Sequence, residues 1–161
     1  MKSIEKKQVS QRHNLRLFSK VNKYIKSIAL KYNIMTENEI SKIIVDAGLK
    51  VHRTLGMGLY ETVYEQCMEH ELKNRGLKVE RQKFLSIKYE DLIVENAFKI
   101  DLLVENKVVI EIKAQEELTV FHAAQTLNYL KLGNYKLGLL LNFNSQLFKS
   151  GIKRIANGME D

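Results

Sequence analysis

The stretch Ile100-Asp101-Leu102-Leu103-Val104-Glu105-Asn106-Lys107-Val108-Val109-Ile110-Glu111-Ile112-Lys113 constrains the fold more than any other part of the chain. Two runs rich in Val, Ile and Leu flank a short polar turn, the pattern of an antiparallel hairpin. Side chains alternate faces along a strand, so loop length decides which residues meet. A three-residue loop at 105–107 sets Val104 opposite Val108, Leu102 opposite Ile110 and Ile100 opposite Ile112, leaving one face wholly apolar. The other face then carries Asp101 opposite Glu111, with Lys113 two residues further on the same side. A two-residue loop would put the carboxylates on opposite faces and scatter the apolar side chains. The register that best buries the hairpin also gathers two carboxylates and an ammonium.

That combination suits metal-assisted phosphodiester hydrolysis. Mg²⁺ is a hard cation that takes a few carboxylate oxygens plus water and phosphate, and Asp101 with Glu111 supplies the protein share. The Ile112 carbonyl offers a further oxygen, and Mn²⁺ is an expected substitute. The Lys113 ammonium can orient water or offset charge developing on the phosphate. The bland alternative is an ion pair on a solvated strand, worth under about 1 kcal/mol. Two other segments carry matching groups. Glu61 follows Gly58 in the first turn of a helix, where a carboxylate either serves the helix dipole or acts as a third metal ligand. His122, Gln125 and Tyr129 stand at i, i+3 and i+7, one helical face from which polar heads could reach phosphate or Lys113, although a lone Tyr129 would more often be core. His52 is a weaker helper, on a helix that mostly faces the core. His13, His70 and Cys67 lack ligand spacing and read as structural.

The remaining periodicities supply the frame. Ile40, Ile43, Ile44, Ala47, Val51 and Leu55 predict a first helix, ended by Gly56-Met57-Gly58. Tyr60, Val63, Tyr64, Cys67, Met68 and Leu72 predict a second, stopped at Gly76. Two antiparallel strands are expected over 77–90 and 97–104, with a turn at Glu90-Asp91, and a third over 108–114. Leu118 to Leu132 reads as a helix capped by Thr119 and ended at Gly133-Asn134, Leu137 to Phe143 as a strand buried on both faces, and Leu147 to Ile155 as a short amphipathic helix. Helix, three strands, helix and strand make an α/β domain with a mixed central sheet flanked by helices.

Charge is divided unevenly. Residues 1–35 hold nine Lys or Arg and one acid, leaving 17 basic and 18 acidic residues in 36–161, so a net +8 sits on the extension and −1 on the body. Val21, Tyr24, Ile25, Ile28, Ala29 and Tyr32, interleaved with Lys20, Lys23, Lys26 and Lys31, predict a basic amphipathic helix. Three readings stand: a phosphate-binding or anionic-surface anchor, a helix packed on the body, or a segment ahead of a start at Met35, after which Thr36 to Glu39 form a capping box. The expected organisation is an extension over 1–35 and a domain over 36–161. A single cysteine excludes a disulfide framework or Cys-rich zinc module. No apolar run approaches the roughly 18–20 residues of a membrane span, so a soluble, cytoplasmic protein with no membrane partner is expected.

These residues resemble the PD-(D/E)xK nuclease superfamily and, within it, the GxxExxY group. The namesake pattern stands here as Gly58-Leu59-Tyr60-Glu61-Thr62-Val63-Tyr64, preceded by Val51-His52-Arg53-Thr54-Leu55-Gly56. The superfamily signature matches Asp101-Leu102-Leu103-Val104 and Glu111-Ile112-Lys113, the Gln-x-x-x-Tyr of its RecB-type members matches Gln125 and Tyr129, and Leu140-Leu141-Asn142-Phe143-Asn144 matches its last core strand. The likeness covers 36–155. Ile100 and Met57 stand where Pro is usual, which removes no chemical group. The resemblance implies a restriction-endonuclease-like α-β-β-β-α-β core, metal ligands Glu61, Asp101 and Glu111, a catalytic Lys113, and support from Gln125 and Tyr129. The expected function is metal-dependent cleavage of nucleic acid, DNA ahead of RNA. A homodimer would supply a second site for a second strand. The alternative is a nucleic-acid-binding or protein-interaction module that keeps the fold without turnover.

Overall fold

The structure, a computed structural model, describes residues 35–159 and, ahead of them, Leu17, Phe18, Lys20, Val21 and Lys23. Nearly all of the basic amphipathic helix expected in the extension lies outside the described residues. Residues 37–159 form one compact unit.

Helix α1, Glu37–Leu55, buries Ile40, Ile44, Ala47 and Val51, and α2, Glu61–Asn74, buries Tyr64, Met68 and Leu72. Gly76 follows α2 with φ +82, the left-handed position expected of a helix-ending glycine. Strands β1, Val79–Tyr89, and β2, Leu92–Val104, form a long antiparallel hairpin whose turn has Glu90 at φ +50. Strand β2 therefore begins five residues ahead of the expected Ala97. The interruption at Glu95-Asn96 is a local irregularity, with Asn96 at φ +53 and a register shift opposite it between Leu85 and Ile87. Strand β3, Val108–Lys113, pairs antiparallel with β2, helix α3 covers Val120–Gly133, and β4, Leu137–Asn142, returns parallel to β3. A 3₁₀ turn at Phe148–Gly151 leads into β5, Ile152–Ala156.

The sheet order is β1-β2-β3-β4-β5, mixed through the parallel β3–β4 pair. The helix expected over Leu147 to Ile155 is not formed: only Phe148–Gly151 turns helically, and Ile152–Ala156 pairs antiparallel with β4. The physical reason is the edge of β4, a fully buried strand whose backbone groups need partners on both sides. Tertiary pairing thus overrides a spacing that fits helix and strand alike.

Helix α3 packs on the face formed by Ile100, Leu103 and Val109 through Tyr129 and Leu130. Leu102, Ile110 and Ile112, of opposite parity to Leu103 and Val109, are equally buried, and the α1–α2 layer contacts β3, while Ile100, expected on the Leu102 side, joins the cluster under α3. That layer is closed by aromatic packing, with Tyr64 stacked on Phe143 at 4.5 Å and Phe143 against Phe148 at 4.9 Å. Gly48 lets α1 approach this cluster, because a Cβ there would run into the Phe148 ring. Gly48→Ala is therefore expected to lower stability by about 1–3 kcal/mol despite its better helix propensity. Urea unfolding checks it, and a more stable variant would show that the ring yields at no cost.

Candidate active site

The β2–β3 hairpin has the register that its apolar pattern predicts: Val104 pairs with Val108, Leu103 with Val109 and Leu102 with Ile110. Glu105 and Asn106 turn the chain at φ +52 and +53, and the Lys107 N–H closes on the Val104 carbonyl at 2.9 Å. The ladder stops at Leu102–Ile110, one rung short of Asp101 and Glu111. From there β3 continues beside β4, Glu111 opposite Leu140 and Lys113 opposite Asn142. The freed Ile112 N–H donates to Asp101 Oδ2 at 2.8 Å. Parting of the strands thus opens the space for the carboxylates, and one of them caps the backbone group left behind.

Lys113 Nζ lies 2.8 Å from Glu111 Oε1, with only 12% and 4% of the two side chains exposed. Glu111 Oε2 is buried and has no hydrogen-bond partner. Such an orphaned carboxylate oxygen costs free energy unless something fills it. Burial pushes the Asp101 carboxyl up to about 6 against the pull of the Ile112 N–H and Lys113, with Glu65 and Glu61 adding to the rise. Burial and the neighbouring Asp101 push Glu111 up to about 7 against Lys113. For Lys113, burial acts downward, and the Glu111 hydrogen bond with the charges of Glu111, Asp101 and Glu61 outweighs it, so the ammonium is held above its ordinary range. A hard divalent cation fits this donor set, since it would partner the stranded oxygen and offset the burial and the neighbouring acidic charge that hold both carboxyls up.

Glu61 is the first residue of α2, and its Oε1 accepts the Ala114 N–H at 3.1 Å, tying the helix to the end of β3. The loop before it is braced by Tyr64, whose hydroxyl donates to the Gly56 carbonyl at 2.8 Å and accepts the Leu59 N–H at 3.2 Å. Gly56 and Gly58 at φ +70 and +92 give this loop its shape, so Met57 in place of Pro leaves it tied down. The end of β3 is secured by Asn142, whose amide donates to the Gln115 carbonyl at 2.7 Å and accepts its N–H at 3.1 Å.

On α3, Thr119 is the predicted cap, and His122 completes a capping box, its Nδ1 accepting the Thr119 N–H at 3.2 Å. Tyr129 is buried, edge-on to Phe98 at 5.3 Å. Burial, then the charges of Glu111 and Asp101, pushes its hydroxyl up to about 12, against a hydrogen bond with Gln125. The Gln125–Tyr129 pair therefore belongs to the electrostatic surroundings of the carboxylates. His52 instead joins its Nε2 to the Ser145 carbonyl at 2.9 Å and packs against Phe148. His70 bonds Asn74 at 2.9 Å.

Two residues passed over in the sequence belong to this neighbourhood. Glu65, one turn beyond Glu61, is buried and accepts Gln82 Nε2 at 2.7 Å and Arg81 at 3.5 Å. Gln82 stands at φ +56 between the Arg81–Leu102 and Lys83–Ile100 rungs, on the rung of Asp101. The spacing of Glu65 from Glu61 is the only sequence signal for either, since the bond to Gln82 spans two elements. Among the described residues, no three His, Cys, Asp or Glu side chains are drawn together tightly enough to enclose a metal ion unaided.

A mixed sheet with helices on both faces, carrying an acidic pair and a lysine at the carboxyl end of β3, defines a nuclease-type α/β domain of restriction-endonuclease-like arrangement. A sequence model of the PD-(D/E)XK nuclease superfamily matches residues 38–155, and the chain belongs to that superfamily. No curated protein and no solved structure matches the chain.

Proposed function

We propose that this chain is a divalent-metal-dependent nuclease of the GxxExxY group, hydrolysing phosphodiester bonds of DNA ahead of RNA. The buried, unpartnered Oε2 of Glu111 beside Asp101, with Lys113 on its other oxygen, carries the reading. Asp101 and Glu111 would hold Mg²⁺ or Mn²⁺, with the Ile112 carbonyl and Glu61 as further oxygens. Two carboxylates suffice, because Mg²⁺ keeps several of its waters. When bound, the cation supplies Lewis acidity toward phosphate and water. Lys113 orients the attacking water or offsets charge on the phosphate. Tyr129 stays protonated at neutral pH and with Gln125 would offer hydrogen bonds to the phosphate beside Lys113. His122, its Nδ1 taken by the Thr119 N–H, carries its proton on Nε2 as a donor to phosphate.

The extension over 1–35, with its +8 charge, would add the phosphate affinity that the domain of net −1 lacks. No described helix is long and apolar enough to cross a membrane, and a cytoplasmic protein, homodimeric on duplex substrates, fits this reading. Labelled single- and double-stranded DNA and RNA, incubated with Mg²⁺, Mn²⁺ or EDTA, test it. Cutting that requires metal is expected. The second reading, a binding module without turnover, draws on the lack of a three-ligand cluster among the described residues. Folded protein that cuts nothing under any condition would establish that reading instead.

A further inference from the structure

Five apolar side chains are exposed on two short segments beside the carboxylates. Met57, Leu59 and Tyr60 in the loop before α2 are 50%, 38% and 84% exposed, and Val120 and Phe121 opening α3 are 86% and 71% exposed. Exposed apolar residues beside a site are the residues a ligand or partner would cover. Both segments lie at the carboxyl end of β3. Tyr60 directly precedes Glu61, whose carboxylate holds the Ala114 N–H, and α3 begins six residues beyond Ala114. This is also the end of the parallel β3–β4 pair, where open α/β sheets place their ligands.

Neither ring is out because its backbone is loose. Tyr60 sits between a loop tied to the Tyr64 hydroxyl and a helix tied to Ala114. Phe121 sits between the capping residues Thr119 and His122 and meets the His122 ring edge-on at 6.3 Å. Rings on a fixed backbone lose little freedom on contact, which favours flat apolar ligands.

We propose that Tyr60 and Phe121 form a stacking platform for the unpaired bases of single-stranded nucleic acid, and that the substrate of the site is therefore a single strand or an opened end. The proposal rests on the nuclease reading for the phosphodiester next to the platform. Bases rather than phosphates are the ligand, because 56–60 and 118–121 carry no charge while the neighbouring Glu116 and Glu117 are exposed and acidic. Every base has a face to stack on aromatic rings, and a closed duplex hides those faces.

The test is binding of the full chain, in EDTA, to a single-stranded oligonucleotide carrying 2-aminopurine, to its abasic counterpart and to the duplex. Tyr60→Ala and Phe121→Ala are expected to weaken single-strand binding on the order of tenfold each and to relieve 2-aminopurine quenching, with unchanged melting temperatures. Tyr60→Phe, which keeps the ring, should restore binding, and the abasic strand should bind like the alanine variants. Undiminished binding by both alanine variants overturns the proposal, as does equal loss on duplex and single strand. A change of sedimentation with either alanine variant, without a change in strand binding, would assign the surface to a second copy instead. Because the readout needs no turnover, ring-dependent binding without metal-dependent cleavage would remove the nuclease reading alone, and metal-dependent cleavage indifferent to both rings would remove the platform alone.

Discussion

Replacing Lys113 with alanine is expected to lower the rate of phosphodiester cleavage by about 10²–10³-fold, the usual cost of removing one preorganised donor from developing charge. The ammonium lies 2.8 Å from Glu111 Oε1, largely shielded from water, where a charge acts more strongly than on the surface. It is held above its ordinary pKa range, so it remains a cation throughout the working range of a nuclease. Lys113→Arg keeps the charge but brings a planar fork into a space shaped for a compact ammonium, and should recover little activity. The alanine variant leaves Glu111 without its partner, which in a buried pair can be strongly destabilising. Here the loss is cushioned, because a Glu111 already pushed up to about 7 can take a proton at neutral pH. Single-turnover cleavage should therefore collapse while circular dichroism shows a folded protein. A folded Lys113→Ala protein cutting within about threefold of wild type would remove Lys113 from the chemistry.

The hairpin that carries this lysine was legible because burial and alternation point to a single register. Moving the pairing by one position would break the Val104–Val108 and Leu102–Ile110 pairs and put Asp101 and Glu111 on opposite faces. The caps at Gly76, Thr119 and Asn134 were equally legible, each being local chemistry written in adjacent residues. Less could be read where distant pairing decides. Leu147, Phe148, Ile152 and Ile155 fit a helix, and only the unpaired edge of β4 turns the second half into β5. Glu65 and Gln82 lie 17 residues apart, and nothing short of the folded sheet shows that one bonds the other on the rung of Asp101. The stopping of the β2–β3 ladder before Asp101, while β3 goes on beside β4, is likewise visible only in the folded sheet. The sequence placed the carboxylates on one face, and the fold adds the parting of strands that gives them room.

That room makes the metal-free domain sensitive to pH in an unusual direction. Asp101 rises from 3.8 to about 6 and Glu111 from 4.5 to about 7. The folded state thus keeps protons that the unfolded chain has released, and stability falls as pH rises from about 4 to about 7. At about 1.4 kcal/mol per pH unit for each proton retained, the pair together should cost several kcal/mol across that window. Glu71, lowered by its hydrogen bonds to Lys50 and Arg75, acts with the opposite sign, but only as the pH drops below its ordinary 4.5. Between pH 5 and 7.5 the site pair should therefore dominate, and the melting temperature in EDTA should fall as pH rises. A divalent cation needs the ionised carboxylates, so Mg²⁺ should raise the melting temperature more at pH 8 than at pH 5.5 and flatten the profile. The Asp101→Asn, Glu111→Gln double variant should lose both the slope and the response to Mg²⁺. Thermal unfolding of the two proteins across this range decides the matter. If the wild-type profile in EDTA matches that of the double variant, these carboxylates carry no stored strain for a cation to relieve.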